Sequence, residues 1–362
     1  MKILLTPNEE QPDPELFIWE TEMDVSEIIS AFTSHDKKKK RMSETSPISQ
    51  EDSEKLALSG RLEMFQKDML ANATQEVILK HIQTLKQFLT EFPEESGFIP
   101  DLIKNLNISE DIAEHIILVL EMIGHDDAQR ALSDIFLDYN QTPDIRQKAA
   151  ISAGGISSPE PVLIDSLFQL ITQEQETPDM DTLNRTDAAI LSLGLLNQVT
   201  YLADDSVTSN FIHNRLISML QSYSDERHVL ACIKALGNSK MPKGADDLFQ
   251  YVNSDSPLIR KTAIQAIGNL NPDKSLTENN PDIFSETETA SPETLTNNVS
   301  VRLINLYYQA DDPDIRKEMI KAVIKRKEPV SVELLEEVLN EDSDEQVADM
   351  IHHYLRSYLQ LH

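Results

Sequence analysis

The sequence has few of the residues that cross-link or punctuate a fold. Among 362 residues there is one cysteine, Cys232, so no internal disulfide can form. Nine glycines and 6% aromatic residues fit helices better than the turn-rich sheets of β-proteins. No apolar run approaches the ~20 residues of a membrane-spanning helix. These absences favour an all-α protein with no membrane span, and one buried thiol is compatible with a reducing compartment.

Basic residues are also scarce. Lys and Arg number 32 against 62 Asp and Glu, which gives a formal net charge of −30. A field of this sign repels phosphate backbones and keeps a chain soluble. The composition therefore predicts no nucleic-acid partner.

The amino terminus resembles a secretory leader and then departs from one. A run of three apolar residues, Ile3–Leu5, precedes Pro7, whereas the apolar region of a leader needs about 7–15. We therefore expect a cytoplasmic protein. A longer reading frame upstream would instead place it outside the cytoplasm.

Motifs that carry chemistry are absent as well. The sequence has no phosphate-binding loop, no Gly-x-Ser-x-Gly and no His-Glu-x-x-His. His352 and His353 are adjacent, so on a helix they point about 100° apart and cannot chelate one ion. The sequence thus predicts no catalytic, cofactor-binding or metal-ligating residue, and a protein that is not an enzyme.

A nine-residue helical pattern is what the sequence does contain. Val229–Gly237 and Arg260–Gly268 each place small residues at the fourth and seventh positions, a large aliphatic at the eighth and Gly at the ninth. Small residues let neighbouring helices approach closely. The Gly is predicted to end each helix with a positive φ.

The pattern recurs along the chain at irregular intervals of 30 to 43 residues. Its final glycines are Gly124, Gly154, Gly194, Gly237 and Gly268. A single helix pair of this kind cannot bury its own apolar faces, so copies must stack on each other. The sequence predicts an α-solenoid of stacked antiparallel helical hairpins.

Three repeats begin with the same signal. A Ser, Thr or Asp that can cap a helix is followed by Pro and, four residues after the cap, by Arg. These arginines are Arg146, Arg260 and Arg316. One interpretation makes them a cationic stripe for a carboxylate or an acidic peptide. The favoured one makes them structural, each bonding a turn Asp or a carbonyl of a neighbouring hairpin.

The starts of the form Asp/Ser-Pro-x-Ile-Arg and the Ala-x-Gly endings resemble HEAT repeats, over about residues 74–362. The segments Lys-Ala-Leu-Gly-Asn and Ala-Ile-Gly-Asn-Leu are also similar to the helical region of large lipid-transfer proteins such as vitellogenin. Both resemblances imply a HEAT-like superhelix. They differ in whether it holds a protein or belongs to a lipid carrier.

The predicted domain organisation has three parts. Residues 1–33 form a short, partly ordered segment, and residues 34–53, rich in charge and Ser, form a disordered linker. The solenoid spans residues 54–362. It contains an insertion, 271–298, with six acidic residues and three prolines, which we expect to be disordered.

The pattern favours a protein–protein interaction scaffold with a protein partner. The alternative is the helical portion of a vitellogenin-like lipid-transfer protein that lacks its lipid-holding sheets, with lipid as partner. The sequence does not fix the oligomeric state.

Overall fold

The protein is described by a computed structural model that covers residues 58–71, 73–174, 180–272, 298–328, 330–342 and 344–361. These residues form sixteen α-helices and one 3₁₀ helix, with no strand among them. The all-α prediction is therefore confirmed. The expectations for residues 1–53 and for most of the insertion lie outside the described residues.

The helices follow each other through short connections. They are α1 (Leu58–Leu70), α2 (Gln75–Glu91), a 3₁₀ helix (Pro93–Phe98), α3 (Ile99–Asn105), α4 (Glu110–Ile123), α5 (Asp126–Leu137), α6 (Pro143–Ala153), α7 (Pro161–Glu174), α8 (Met180–Leu202), α9 (Ser206–Ser222), α10 (Glu226–Asn238), α11 (Gly244–Phe249), α12 (Pro257–Asn269), α13 (Val299–Tyr307), α14 (Pro313–Arg326), α15 (Ser331–Glu341) and α16 (Glu345–Leu361).

The helices stack in two rows. Each even-numbered helix from α2 to α16 packs on the next even-numbered one, and we call these helices the even row. The odd-numbered helices form the odd row, in which α5 packs on α7 and α13 on α15. From α5 onward each odd helix also packs on the even helix that follows it. This arrangement is the predicted solenoid of helical hairpins.

The predicted helix starts have a clear physical cause. Thr142 Oγ1 accepts a hydrogen bond from the Ile145 amide (3.4 Å), and Ser256 does the same for Ile259 (3.3 Å). Pro143 and Pro257 occupy the first turn, where no hydrogen bond is lost. The sequence signal for these starts is confirmed.

The core runs between the two rows and is aliphatic. Its fully buried side chains come from both rows and include Leu89, Ile116, Leu120, Leu132, Ile135, Leu193, Ile233, Ile267, Leu303 and Ile320. Because every layer contributes to one continuous core, each hairpin is stabilised by its neighbours. The even row is continuous across the insertion, since α12 packs directly on α14.

Candidate protein-binding face

Four glycines set the distance between helices of the even row. A Cβ on Gly154 would lie 3.0 Å from the Cα of Ser192, and one on Gly194 would lie 2.6 Å from the Cα of Ala235. Real Cβ atoms essentially never approach backbone as closely as at Gly194, and at Gly154 the neighbouring helix would have to move by a few tenths of an ångström to admit a Cβ. Each glycine therefore lets the next helix of the row pack directly on its backbone.

The contact repeats in the same register down the row. A Cβ on Gly237 would lie 2.8 Å from the Cβ of Ala266, and one on Gly268 would lie 2.9 Å from the Cα of Ala322. In both cases the partner residue is small. The solenoid thus repeats one glycine-to-small-residue contact from α6 to α14.

The positive φ predicted for these glycines is wrong, and so is the helix end predicted at Gly194. Gly194 lies inside α8, which continues to Leu202, whereas Gly237 and Gly268 are each the last residue but one of α10 and α12. Gly154 follows α6 with a negative φ of −67°. Their small size is required by the neighbouring helix, not by a left-handed turn. Among the described glycines only Gly124 has a positive φ, +59°, and it ends α4.

Arg146 is buried and links three elements. Its Nε donates to the carbonyl oxygen of Phe136 (2.9 Å), and its Nη2 donates to Glu174 Oε1 (2.6 Å). The guanidinium also stacks over the Tyr139 ring, 4.5 Å from its centroid. Arg146 therefore joins α5 and α6 to the end of α7.

Arg260 and Arg316 link successive repeats in a more exposed setting. Arg260 donates to the carbonyl oxygen of Ser254 (2.8 Å) and lies 4.0 Å from Asp312, the cap of α14. Arg316 donates to Asp342 Oδ2 (3.4 Å), just after α15. All three predicted arginines thus contact neighbouring segments of the solenoid, as the structural interpretation expects.

One buried charge cluster has no counterpart in the sequence predictions. Glu174 accepts bonds from Arg146 and also from Arg185 Nη2 (2.8 Å), and all three side chains are at most 7% exposed. In α8 the nine-residue pattern runs from Thr186 to Gly194. Arg185 therefore lies one residue before the first position of the pattern. Because the arginine lies out of register, the repeat pattern alone did not find this cluster.

The side of the even row that faces away from the odd row carries exposed and half-buried side chains. In each copy of the nine-residue pattern, the residue three positions before the final glycine lies on this side. The equivalent residue of α14 lies there as well. These residues are Glu121, Ile151, Leu191, Lys234, Gln265 and Lys321. We call these residues, with those one helical turn away on the same side, the open face.

Polar side chains cross between helices on the open face. Lys148 forms an ion pair with Glu114, and Arg227 Nε donates to Asp187 Oδ2 (2.5 Å). Farther along, Gln265 Nε2 donates to Glu318 Oε2 (3.0 Å). These bonds hold adjacent even-row helices in register at the surface. The face is therefore a fixed surface and not a set of independent side chains.

Desolvation shifts the titration of several groups along this face. Burial raises the pKa of Glu121, which a hydrogen bond to Ser152 partly offsets. Burial also raises the pKa of Asp187, against the opposing effect of Arg227, and lowers the pKa of Lys234. The single thiol, that of Cys232, lies fully buried beneath this face, and burial raises its pKa to about 12. A thiol of this kind is not a nucleophile at neutral pH.

The described residues hold no cluster of three or more His, Cys, Asp or Glu side chains with the geometry of a metal site. In the same part of the chain, no helix combines the length and apolarity that a membrane crossing needs.

The two rows of stacked hairpins define the class of protein as an α-solenoid. Residues 214–278 match the family described as HEAT repeats, a stretch that includes α10 and α12. The predicted resemblance to HEAT-repeat proteins is confirmed there. A comparison with curated protein sequences finds no match.

Solved structures with a similar fold include lipovitellin, described for its lipid–protein interactions, with a TM-score of 0.54 and 16% identity. The match covers 81% of this chain, which spans 30% of the lipovitellin chain. At this identity the likeness shows the fold alone.

Two further structures match more weakly. Human deoxyhypusine hydroxylase in complex with glycerol has a TM-score of 0.31 at 15% identity, covering 87% of this chain and 100% of that one. The complex of CpcE and CpcF of phycocyanin lyase from Nostoc sp. has a TM-score of 0.35 at 16% identity, covering 71% and 94%. Neither carries an argument about this chain.

Proposed function

We propose that the protein is a non-enzymatic scaffold that binds a protein partner on its open face. The observation that carries this proposal is an apolar strip on three successive even-row helices. Leu118 of α4, Ile151 of α6 and Leu195 of α8 are 37%, 36% and 39% exposed. A single exposed aliphatic side chain is ordinary, but exposed aliphatic side chains on three successive helices of one face favour an interaction surface, and we call these three residues the strip.

The fold supports this use of the strip. The glycine contact at Gly154 and Gly194 fixes the spacing of α6, α8 and α10, so the strip is in place before a partner arrives. A surface that does not reorganise on binding loses less conformational entropy. Solenoids present such extended surfaces without catalytic groups.

The lipid-carrier alternative fits the strip less well. A lipid needs an apolar enclosure, whereas the ion pair of Glu114 and Lys148 lies beside Leu118 and Ile151 on the same face. Charged groups cost free energy when they are covered by hydrocarbon but are normal at the rim of a protein interface. Organic extraction of the purified protein should therefore release no stoichiometric lipid.

Affinity capture with the intact chain tests the proposal. We expect a protein to be retained by the wild type and lost from the variant Ile151→Arg/Leu195→Arg, because charge in the strip blocks its burial. The matched control is Val162→Arg/Val207→Arg, which places the same charge on exposed valines of the odd row. Equal retention by all three proteins, or no retained protein at all, would refute the proposal.

A further inference from the structure

Three consecutive even-row helices carry a local charge opposite to that of the whole chain. The chain has a net charge of −30, yet α10, α12 and α14 have three acidic side chains, Glu226, Asp314 and Glu318. Their basic side chains are Arg227, Lys234, Arg260, Lys261, Arg316, Lys317, Lys321, Lys325 and Arg326.

All four arginines of these three helices form contacts within the solenoid. Arg260 and Arg316 contact the following repeats, and Arg326 is buried, where it binds Glu328 and the carbonyl oxygens of Ile267 and Leu270. Arg227 binds Asp187 and Asn184 of α8. These side chains explain part of the positive charge as a requirement of packing.

The lysines of α14 lie instead on the open face, and two of them form ion pairs with acidic residues of their own helix. Lys317 lies 3.7 Å from Asp314, and Lys321 lies 2.6 Å from Glu318, whose side chain is 9% exposed and also receives Gln265. The Lys321 side chain is 57% exposed, and Lys325 is exposed as well. The pair of Lys317 with Asp314, whose side chain is 89% exposed, lies at the surface, and pairs of this kind are weak and readily exchange partners.

The spacing of Lys317, Lys321 and Lys325 suggests the shape of a ligand. Residues four apart on a helix are separated by about 6 Å along its axis. Alternate residues of an extended chain are separated by about 6.6–6.8 Å and point to the same side. An extended segment with an acidic residue at every second position can therefore place one carboxylate near each lysine.

We propose that the open face of α14, through Lys317, Lys321 and Lys325, binds an acidic, extended segment of the protein partner. This inference rests on the scaffold function proposed above and names the chemistry of its partner. Elsewhere the net charge of the chain repels such a segment, so the lysines direct it to this end of the row.

A peptide of alternating Glu and Ser residues, labelled with fluorescein, is the probe. We expect it to bind the full chain at low salt, and to bind the variant Lys317→Gln/Lys321→Gln/Lys325→Gln about tenfold more weakly. The control variant Lys67→Gln/Lys80→Gln/Lys104→Gln changes the net charge equally on exposed lysines of α1, α2 and α3, and should bind as the wild type does.

Two further proteins keep the result interpretable. The variant Lys317→Arg/Lys321→Arg/Lys325→Arg retains the charge and should retain binding, and thermal unfolding shows whether the Gln variant is folded. In a chain without residues 275–294, which are acidic themselves, the affinity should be unchanged. Binding seen only after this deletion would overturn the proposal, because the occupant would then be the chain's own segment.

Other results would also overturn it. These are no binding of the Glu/Ser peptide, equal weakening by the two Gln variants, or tighter binding of a single-stranded oligonucleotide to the same lysines. If the peptide fails while affinity capture still depends on Ile151 and Leu195, the scaffold function stands and only the acidic chemistry is refuted. If capture itself fails, the scaffold function is refuted first.

Discussion

The backbone of Gly268 lies so close to Ala322 that a Cβ on the glycine would be 2.9 Å from the alanine Cα. These two residues are on opposite sides of the insertion, on α12 and α14. Their contact continues the same packing that joins Gly194 to Ala235 and Gly237 to Ala266. The even row is therefore continuous through the point where the sequence is interrupted.

Gly194→Ala tests the role of glycine in this packing. In an exposed helix interior this change stabilises by roughly 0.5–1 kcal/mol. Here the new Cβ would meet the Cα of Ala235 at 2.6 Å, so we expect a loss of about 1–3 kcal/mol in denaturant unfolding. Gly97→Ala is the control, because nothing lies within 4 Å of its Cβ position. Equal effects at the two sites would contradict the close approach.

Glu174→Gln tests the buried cluster of Arg146, Glu174 and Arg185. The change leaves two buried guanidinium groups without their shared negative charge, so we expect a loss of about 3–5 kcal/mol in the free energy of unfolding. Arg130→Gln removes a member of an exposed pair with Asp127, and should cost less than about 1 kcal/mol. A small loss for Glu174→Gln would show that the cluster is open to water.

His213 should make stability depend on pH. Burial lowers the pKa of this imidazole from 6.5 to about 4, and the charge of Lys243 adds to the effect, while Asp247 lies 3.5 Å away. Between these values the unfolded chain binds a proton that the folded chain does not. Stability should therefore fall as the pH drops from 6.5 towards 4, by up to about 3 kcal/mol.

Thermal unfolding across this pH range measures the effect. The stability of the variant His213→Leu should depend much less on pH in this range. The stability of His352→Leu, which changes an exposed histidine, should depend on pH as that of the wild type does. An unchanged slope in His213→Leu would mean that the proton uptake on unfolding occurs elsewhere.

Deleting residues 275–294 tests the continuity of the even row. Since α12 packs directly on α14, no contact between described helices is removed, and shortening a loop changes its closure entropy only slightly. We expect the melting temperature to change by no more than about 1–2 °C. A fall well beyond this range would show that the deleted residues pack on the solenoid.

The sequence predicted the fold well because its signals are local. The capped starts at Thr142 and Ser256 and the small residues Cys232 and Ala263 each follow from one helical turn, and the structure buries both small side chains fully. Glycine was more ambiguous. The same Gly that can end a helix can also admit a neighbouring helix, and only the structure distinguishes the two uses.

The site required knowledge of which helices are neighbours. Gln265 of α12 is half-buried and donates to Glu318 of α14, across 53 residues of sequence. Likewise, Leu118, Ile151 and Leu195 are separated by more than thirty residues each, so no local pattern shows that they form one strip.

Site-specific photocrosslinking at Leu195 tests the proposed binding face most directly. Leu195 on the open face and Val162 on the odd row are 39% and 42% exposed, so a photoreactive residue at either position samples its surroundings equally well. With the captured partner present, the account predicts a crosslinked complex from position 195 and none from position 162. A crosslink from position 162 alone, or none from position 195, would contradict it.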